Sequence, residues 1–152
     1  MNVRDLMKQD LAVCCPDDTL GDAARLMWQH DCGFVPLVEP ETGHLLGTIT
    51  DRDICMAALS SERPIHELSI ATTMHRGAHA CSPDDDLSVV HGLMREHQVR
   101  RLPVVDDAGS LIGVISLNDL GLQALDQEQP ERAATVAETL GTICQHREMA
   151  AV

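Results

Sequence analysis

The 152-residue chain is almost without aromatic side chains: Trp28 and Phe34 are the whole complement, and there is no tyrosine. A stacking platform for nucleobases is thereby nearly excluded, and the core must be built from aliphatic and methionine side chains. Basic residues are scarce as well, 11 against 24 acidic ones, for a formal charge of −13. A field of that sign repels nucleic acid and anionic membranes, although a local basic pocket can still hold a small phosphate ligand. No apolar run approaches the ~20 residues of a membrane span. The stretch Met1-Asn2-Val3-Arg4-Asp5 has no signal-peptide pattern, so a cytoplasmic protein with reduced thiols is expected. Six cysteines include no Cys-x-x-Cys pair, which leaves a zinc knuckle or thioredoxin-like motif unsupported. Nucleophile elbow, metalloprotease helix and Ser-His-Asp order are also missing, and Asp17-Asp18 and Asp84-Asp85 fall in turns expected to face solvent. The chain reads as no enzyme.

What is present is a duplication. Hydrophobic residues make up 44% of the chain, enough for a globular class at about one domain's length. Pro16-Asp17-Asp18-Thr19-Leu20 recurs 67 residues later as Pro83-Asp84-Asp85-Asp86-Leu87. The same offset superposes Met7 on Met74, Cys14 on Cys81, Met27 on Met94, His30 on His97 and Pro36 on Pro103. Past Pro40, one extra residue in the first copy, the offset becomes 66 and aligns Gly47–Asp53 with Gly113–Asp119. Two copies are too few for a solenoid, so packing about a pseudo-two-fold axis is expected.

Each copy reads β-α-β-β-α. Leu11–Cys14 and Ala78–Cys81 are expected as short strands, followed by Pro-Asp-Asp turns in which Thr19 or Asp86 caps a helix. Leu20, Ala23, Ala24 and Met27 form an apolar stripe at helical spacing, repeated by Leu87, Val90 and Met94. Strands Phe34–Val38 and Leu102–Val105 follow, joined through Gly43 and Gly109 to Leu45–Thr50 and Leu111–Ser116. Helices Asp51–Leu59 and Leu117–Leu125 close the copies. Residues 1–62 and 63–125 are thus the two repeats, with Val3–Met7 and Ile65–Met74 as helical lead-ins, and 126–152 is a tail. In that tail, Gln127-Glu128-Gln129 is a polar hinge after Asp126, and a helix over Glu131–Arg147 places Val136, Leu140, Ile143 and Cys144 on one side.

The candidate chemistry lies in the paired Gly-x-x-Thr/Ser-x-x-Asp stretches. Each is a strand whose glycine admits a ligand or a neighbouring backbone, followed by a hydroxyl and a carboxylate at a helix start. Such a helix end favours phosphate oxygens, and its aspartate can accept hydrogen bonds from a vicinal sugar diol. Together with Asp5-Leu6-Met7, the Pro-Asp-Asp-x-Leu turns and Gln98-Val99-Arg100-Arg101-Leu102-Pro103-Val104-Val105, these motifs make residues 3–125 resemble a tandem pair of cystathionine-β-synthase (CBS) domains standing alone.

The resemblance implies an α+β fold of two sheet-paired repeats, two clefts that bind adenine nucleotides (AMP, ADP or ATP), a regulatory rather than catalytic role, and a homodimer. It further implies that Thr50 and Asp53 hold ribose and phosphate in one cleft, with Ala78, His79, Val99, Arg100 and Pro103 around the base. The other cleft uses Val114, Ser116 and Asp119, with Leu11, Ala12, Cys32, Gly33 and Pro36. Arg100 and Arg101 are the expected phosphate clamps, with Arg52 and Arg76 behind them. Gly33-Phe34 stand in the first copy where Arg100-Arg101 stand in the second, so the clefts are expected to differ in affinity. Two other readings stand beside this one: a thiol or metal sensor using the cysteines and His75, His79 and His91, or a structural dimerisation module with empty clefts. Cys14 and Cys81, at matched strand positions, are expected in the core.

Overall fold

A computed structural model of the chain describes residues 1–125 and 130–146; the polar hinge 126–129 and the expected helix end at Arg147 lie outside the described residues. In order, the elements are α1 (Leu20–Gln29), β1 (Phe34–Val38), β2 (Leu45–Thr50), α2 (Asp51–Ser61), β3 (His75–Arg76), α3 (Leu87–His97), β4 (Arg101–Val105), β5 (Leu111–Ser116), α4 (Leu117–Ala124) and α5 (Pro130–Ile143). The fold is mixed α+β with antiparallel sheets, ordered β1-β2-β3 and β4-β5.

Both hairpins form as their sequences indicate. Gly43 and Gly109 take left-handed φ values of 71° and 83°, which a tight turn requires and glycine supplies without strain. The two hairpin tips then bond one another: the Leu45 N–H donates to the Gly109 carbonyl, and the Leu111 N–H to the Gly43 carbonyl. This reciprocity extends through the molecule. The Val3 N–H donates to the Asp85 carbonyl and, 67 positions on, the Ile70 N–H donates to the Asp18 carbonyl. The pseudo-two-fold relation is written in hydrogen bonds.

Those bonds carry each lead-in to the opposite repeat. Val3 is fully buried in the core of Val90, Met94, Leu102, Val104, Ile115 and Leu120, while Ile70 and Met74 lie in the core of Leu20, Met27, Val35, Leu37 and Ile49. The lead-ins are shorter helices than expected. Val3–Asp5, Ile65–Glu67 and Ile70–Thr72 are single 3₁₀ turns, and the chain then straightens into β3, which pairs antiparallel with β2 through Gly47 and Thr48. The expected strands Leu11–Cys14 and Ala78–Cys81 contract to one bridging residue each, Cys14 against Leu37 and Cys81 against Val104. Each bonds its strand through both backbone groups, Cys14 to Pro36 and Val38 and Cys81 to Pro103 and Val105, and a turn closed by the Asp18 carboxylate on the Cys15 N–H, or by Asp85 on the Ser82 N–H, follows at once. The Cys14 and Cys81 thiols are buried, and burial pushes both up to about 12, so each packs as a small apolar side chain.

Helix caps follow the sequence in part. Thr19 accepts from the Asp22 N–H in a capping box, whereas Asp86 holds the cap position of α3 without a side-chain bond. Helix α5 packs on α3 and α4. Its inner side is Val136, fully buried Thr139 and Ile143, not the expected Val136, Leu140, Ile143 and Cys144. Leu140 and Cys144 face outward, because the contact turns on a hydroxyl: His91 Nδ1 of α3 lies 2.8 Å from Thr139 Oγ1. Arg95 also donates to that oxygen, and Gln98 donates to the Thr142 carbonyl near the end of α5.

Candidate functional site

The two Gly-x-x-Thr/Ser-x-x-Asp stretches form the same local structure. Thr50 and Ser116 are the N-caps of α2 and α4, and each side chain accepts from the N–H three residues on. The carboxylates reach back: Asp53 Oδ2 accepts from the Thr50 N–H (2.8 Å) and hydroxyl (2.7 Å), and Asp119 Oδ2 accepts from the Ser116 N–H (2.8 Å) and hydroxyl. The motif is thus a capping box first, and one oxygen of each carboxylate is committed to holding the helix start. The second oxygen points elsewhere. Asp53 Oδ1 lies 2.9 Å from His75 Nε2, and Asp119 Oδ1 lies 3.4 Å from Lys8 Nζ.

Lys8 and His75 occupy the same position in the two copies, one residue after Met7 and Met74, and each comes from the lead-in that crosses to the other repeat. Both repeats therefore contribute to each carboxylate's surroundings. Sequence reasoning passed over Lys8 and named His75 only in the metal reading; the signal that pairs them is their shared place in the 67-residue register, hidden by their different side chains. Burial pushes the Asp53 carboxyl up, but the hydrogen bonds from Thr50 and His75 outweigh it and leave Asp53 below the usual carboxylate range.

The motif glycines serve this crossing. A Cβ on Gly47 would strike the His75 carbonyl oxygen and Met74, and one on Gly113 would meet Met7 Sδ at 2.7 Å and the Lys8 carbonyl at 3.2 Å. Of the two uses the sequence allows for these glycines, close approach of a neighbouring backbone is the one observed.

The remaining expected residues fall into two sets. The Leu117 N–H at the start of α4 donates to the Arg100 carbonyl, and Arg101 is the register partner of Ser116. The arginine pair is therefore anchored by its backbone beside Ser116 at the start of α4. The cause is that β4 and β5 pair in register within one repeat. The matching position in the first copy is Gly33, whose carbonyl accepts from the Asp51 N–H. Buried Pro36 and Pro103 each accept, through their carbonyls, the N–H of Cys14 and Cys81, which seats Leu11-Ala12 and Ala78-His79 at the entry to β1 and β4. Val114 exchanges two backbone bonds with Lys8, and the Val99 N–H closes the end of α3 on the Met94 carbonyl.

His75, His79 and His91 go to three different neighbours: Asp53, a stacked His97 ring at 3.4 Å, and Thr139. Among the described residues no three His, Cys, Asp or Glu side chains converge on a common metal position.

A groove of about 640 Å³ opens elsewhere, between α1 and α2, lined by Ala24, Met27, Trp28, Ile54, Ala58 and Ile65, with Cys32 and Gly33 at its edge. On the second repeat the matching helices, α3 and α4, are covered by α5. The duplication explains the choice: where α3 offers His91, Arg95 and Gln98 to α5, α1 and the residues after it offer Ala24, Trp28 and Asp31, so α5 finds its polar partners on one repeat only. Trp28 is left 89% exposed at the open groove.

Comparison with known proteins gives matches over most of the chain. A family model described as the CBS domain matches residues 3–60 and 67–120. The CBS domain-containing protein YhcV of Bacillus subtilis is 36% identical over 138 residues, covering 88% of this chain and 93% of that protein. Inosine-5'-monophosphate dehydrogenase of Mycobacterium leprae is 33% identical, but the match covers 74% of this chain and only 20% of the enzyme. Among solved structures, CBSX2 in complex with AMP superposes with a TM-score of 0.71 at 25% identity, covering 84% of this chain and 98% of that one. Hypoxic Response Protein I with two coordinated zinc ions gives a TM-score of 0.72 at 26% identity, covering 80% and 98%.

Proposed function

Because the chain belongs to the CBS domain family and carries two copies in tandem, we propose that it is a regulatory module binding an adenine nucleotide (AMP, ADP or ATP) between its repeats. The observation that carries this reading is the pair of capped helix starts, each combining a carboxylate whose second oxygen is not used in the cap, a hydroxyl and a basic side chain delivered from the opposite repeat. A carboxylate oxygen suits a ribose diol, and the helix N-terminus with its cation suits a phosphate. A ligand touching groups from both repeats favours the arrangement that holds them in register, which is all that a sensor needs. The solved relative that carries AMP supports adenosine chemistry, and the enzyme that matches only over its CBS portion supports a role apart from catalysis. No helix among the described residues is long and apolar enough to cross a membrane, and a cytoplasmic setting is part of the proposal.

Isothermal titration of AMP, ADP and ATP into the purified protein tests the reading. Saturable binding is expected, with the loss of one binding class in Asp53→Ala and of the other in Asp119→Ala; flat traces for all three nucleotides would overturn it. Circular dichroism on both variants separates lost binding from lost folding.

The open α1/α2 groove, with Trp28 standing 89% exposed at its edge, is the face we assign to a homodimer. Light scattering is expected to give twice the chain mass for the native protein and the single-chain mass for Trp28→Glu. An unchanged mass in the variant would remove the assignment.

A further inference from the structure

A second hollow, of about 310 Å³, lies where α5 meets the second repeat, away from both capped helix starts. Leu87 of α3, Leu120 of α4 and Val136 of α5 give it an apolar wall, and His91, Asp86 and Arg132 bring polar groups to it.

His91 is only 7% exposed, and its two ring nitrogens have different fates. Nδ1 lies 2.8 Å from Thr139 Oγ1. Thr139 is fully buried, its oxygen already accepts from Arg95, and Nδ1 is the one acceptor its proton has among the described residues. The hydroxyl therefore donates to Nδ1, which places the proton of the neutral ring on Nε2. Nε2 has no protein partner, yet no enclosed side-chain nitrogen or oxygen among the described residues lacks one. It is therefore open, and what it opens onto is the hollow that His91 lines. One nitrogen anchors a buried ring, and the N–H of the other is aimed into a cavity.

Two opposite charges stand at the same hollow without pairing. Asp86 holds the cap position of α3, but its carboxylate makes no cap bond. Arg132 donates to Met1 Sδ at 3.8 Å and forms no ion pair among the described residues.

We propose that this hollow binds a small apolar α-amino acid: its carboxylate takes the Arg132 guanidinium and the His91 Nε2–H, its ammonium takes Asp86, and its side chain lies on Leu87, Leu120 and Val136. The charges select a zwitterion. A carboxylate without an amine leaves Asp86 facing an anion, and an amine without a carboxylate leaves Arg132 unpaired. Because the lining is shared among α3, α4 and α5, the ligand bridges the tail helix to the second repeat and strengthens its docking. The site does not depend on the nucleotide reading above.

Calorimetric titration of L-valine, L-leucine and L-methionine near neutral pH into the native chain, Arg132→Gln and Asp86→Asn tests this. Neither substitution removes a cap bond, since the Asp86 carboxylate makes none and asparagine is an equally good N-cap residue. Saturable binding of at least one amino acid is expected in the native chain, weakened about tenfold in each variant, the scale of a lost charge-assisted hydrogen bond. Its addition is expected to slow hydrogen exchange of the α5 amides. The matching acid without the amine, 4-methylpentanoate in the case of leucine, is expected to bind more weakly and to be indifferent to Asp86→Asn. No saturable binding of any of the three amino acids, binding unaltered in both variants, or an amine-free acid that binds as tightly as its amino acid overturns the assignment.

Discussion

Gly47→Ala is expected to destabilise the protein by about 3 kcal/mol, at the upper end of what overpacking a filled site costs. The added methyl has nowhere to go. The atom it meets first is the His75 backbone carbonyl, in the strand that β2 must pair with, and Met74 closes the space on the other side. Relief requires β3 to move away from β2, which pulls Ile70 and Met74 from the first core and His75 from Asp53. Gly113→Ala meets the flexible Met7 thioether first and the Lys8 carbonyl only at 3.2 Å, so about 1 kcal/mol is expected there. Chemical denaturation of the two variants side by side checks the ranking. Equal losses, or a larger loss at Gly113, would show that the crossing strands are not what these glycines accommodate. The comparison also bears on function, since Gly47→Ala is expected to remove the Asp53 binding class while leaving the Asp119 class in the fraction that remains folded.

Thr139→Val is expected to cost about 2 kcal/mol and to release α5 from the second repeat. Valine keeps the volume but leaves His91 Nδ1 without its partner in a buried contact, where an unpaired polar group costs roughly 1–3 kcal/mol. Arg95 loses an acceptor in the same step and retains Glu138 at 3.7 Å. The same histidine gives the docked helix a pH dependence. Burial, with the Arg95 charge, holds the His91 imidazole below its ordinary value, and Glu138 offsets this only in part. The undocked histidine therefore takes up a proton first as pH falls through about 6.5, and it binds more protons than the docked one below that point. Docking of α5 is accordingly expected to be fully present above that pH and to weaken on acidification. Hydrogen exchange of the α5 amides at pH 5.5 and 7.5 measures this. Slow exchange at both values in the native chain, or an unaltered pH response in His91→Leu, would contradict it.

Much of the fold was legible because the duplication repeats every local signal twice. The hairpins Phe34–Thr50 and Arg101–Ser116 follow from short apolar runs on either side of a turn glycine, and the helices α1 and α3 from their apolar stripes. The strand at His75–Arg76 was not legible: its two residues carry no pattern of their own and become a strand only because Gly47 leaves room beside β2. The same holds for the inner face of α5. Leu140 and Cys144 are more apolar than Thr139, and periodicity alone favoured them; the buried His91 on α3 reversed the choice by offering a hydrogen bond across the contact. At the candidate site, the caps Thr50–Asp53 and Ser116–Asp119 could be read from spacing. The basic side chains facing them could not, because Lys8 lies 111 residues from Asp119 and His75 lies 22 residues from Asp53.

The sequence by itself determined the two-copy architecture, the order of elements within each copy and the capped helix starts, all of which depend on contacts between residues close along the chain. Tertiary structure decided which repeat each lead-in completes, which cation faces which carboxylate and which of two similar helix pairs α5 covers. Those outcomes rest on surfaces that nearly match in the two copies and differ by a few side chains, Ala24 against His91 and Gly33 against Arg100, so they are settled only when both copies are folded and compete for the same partner.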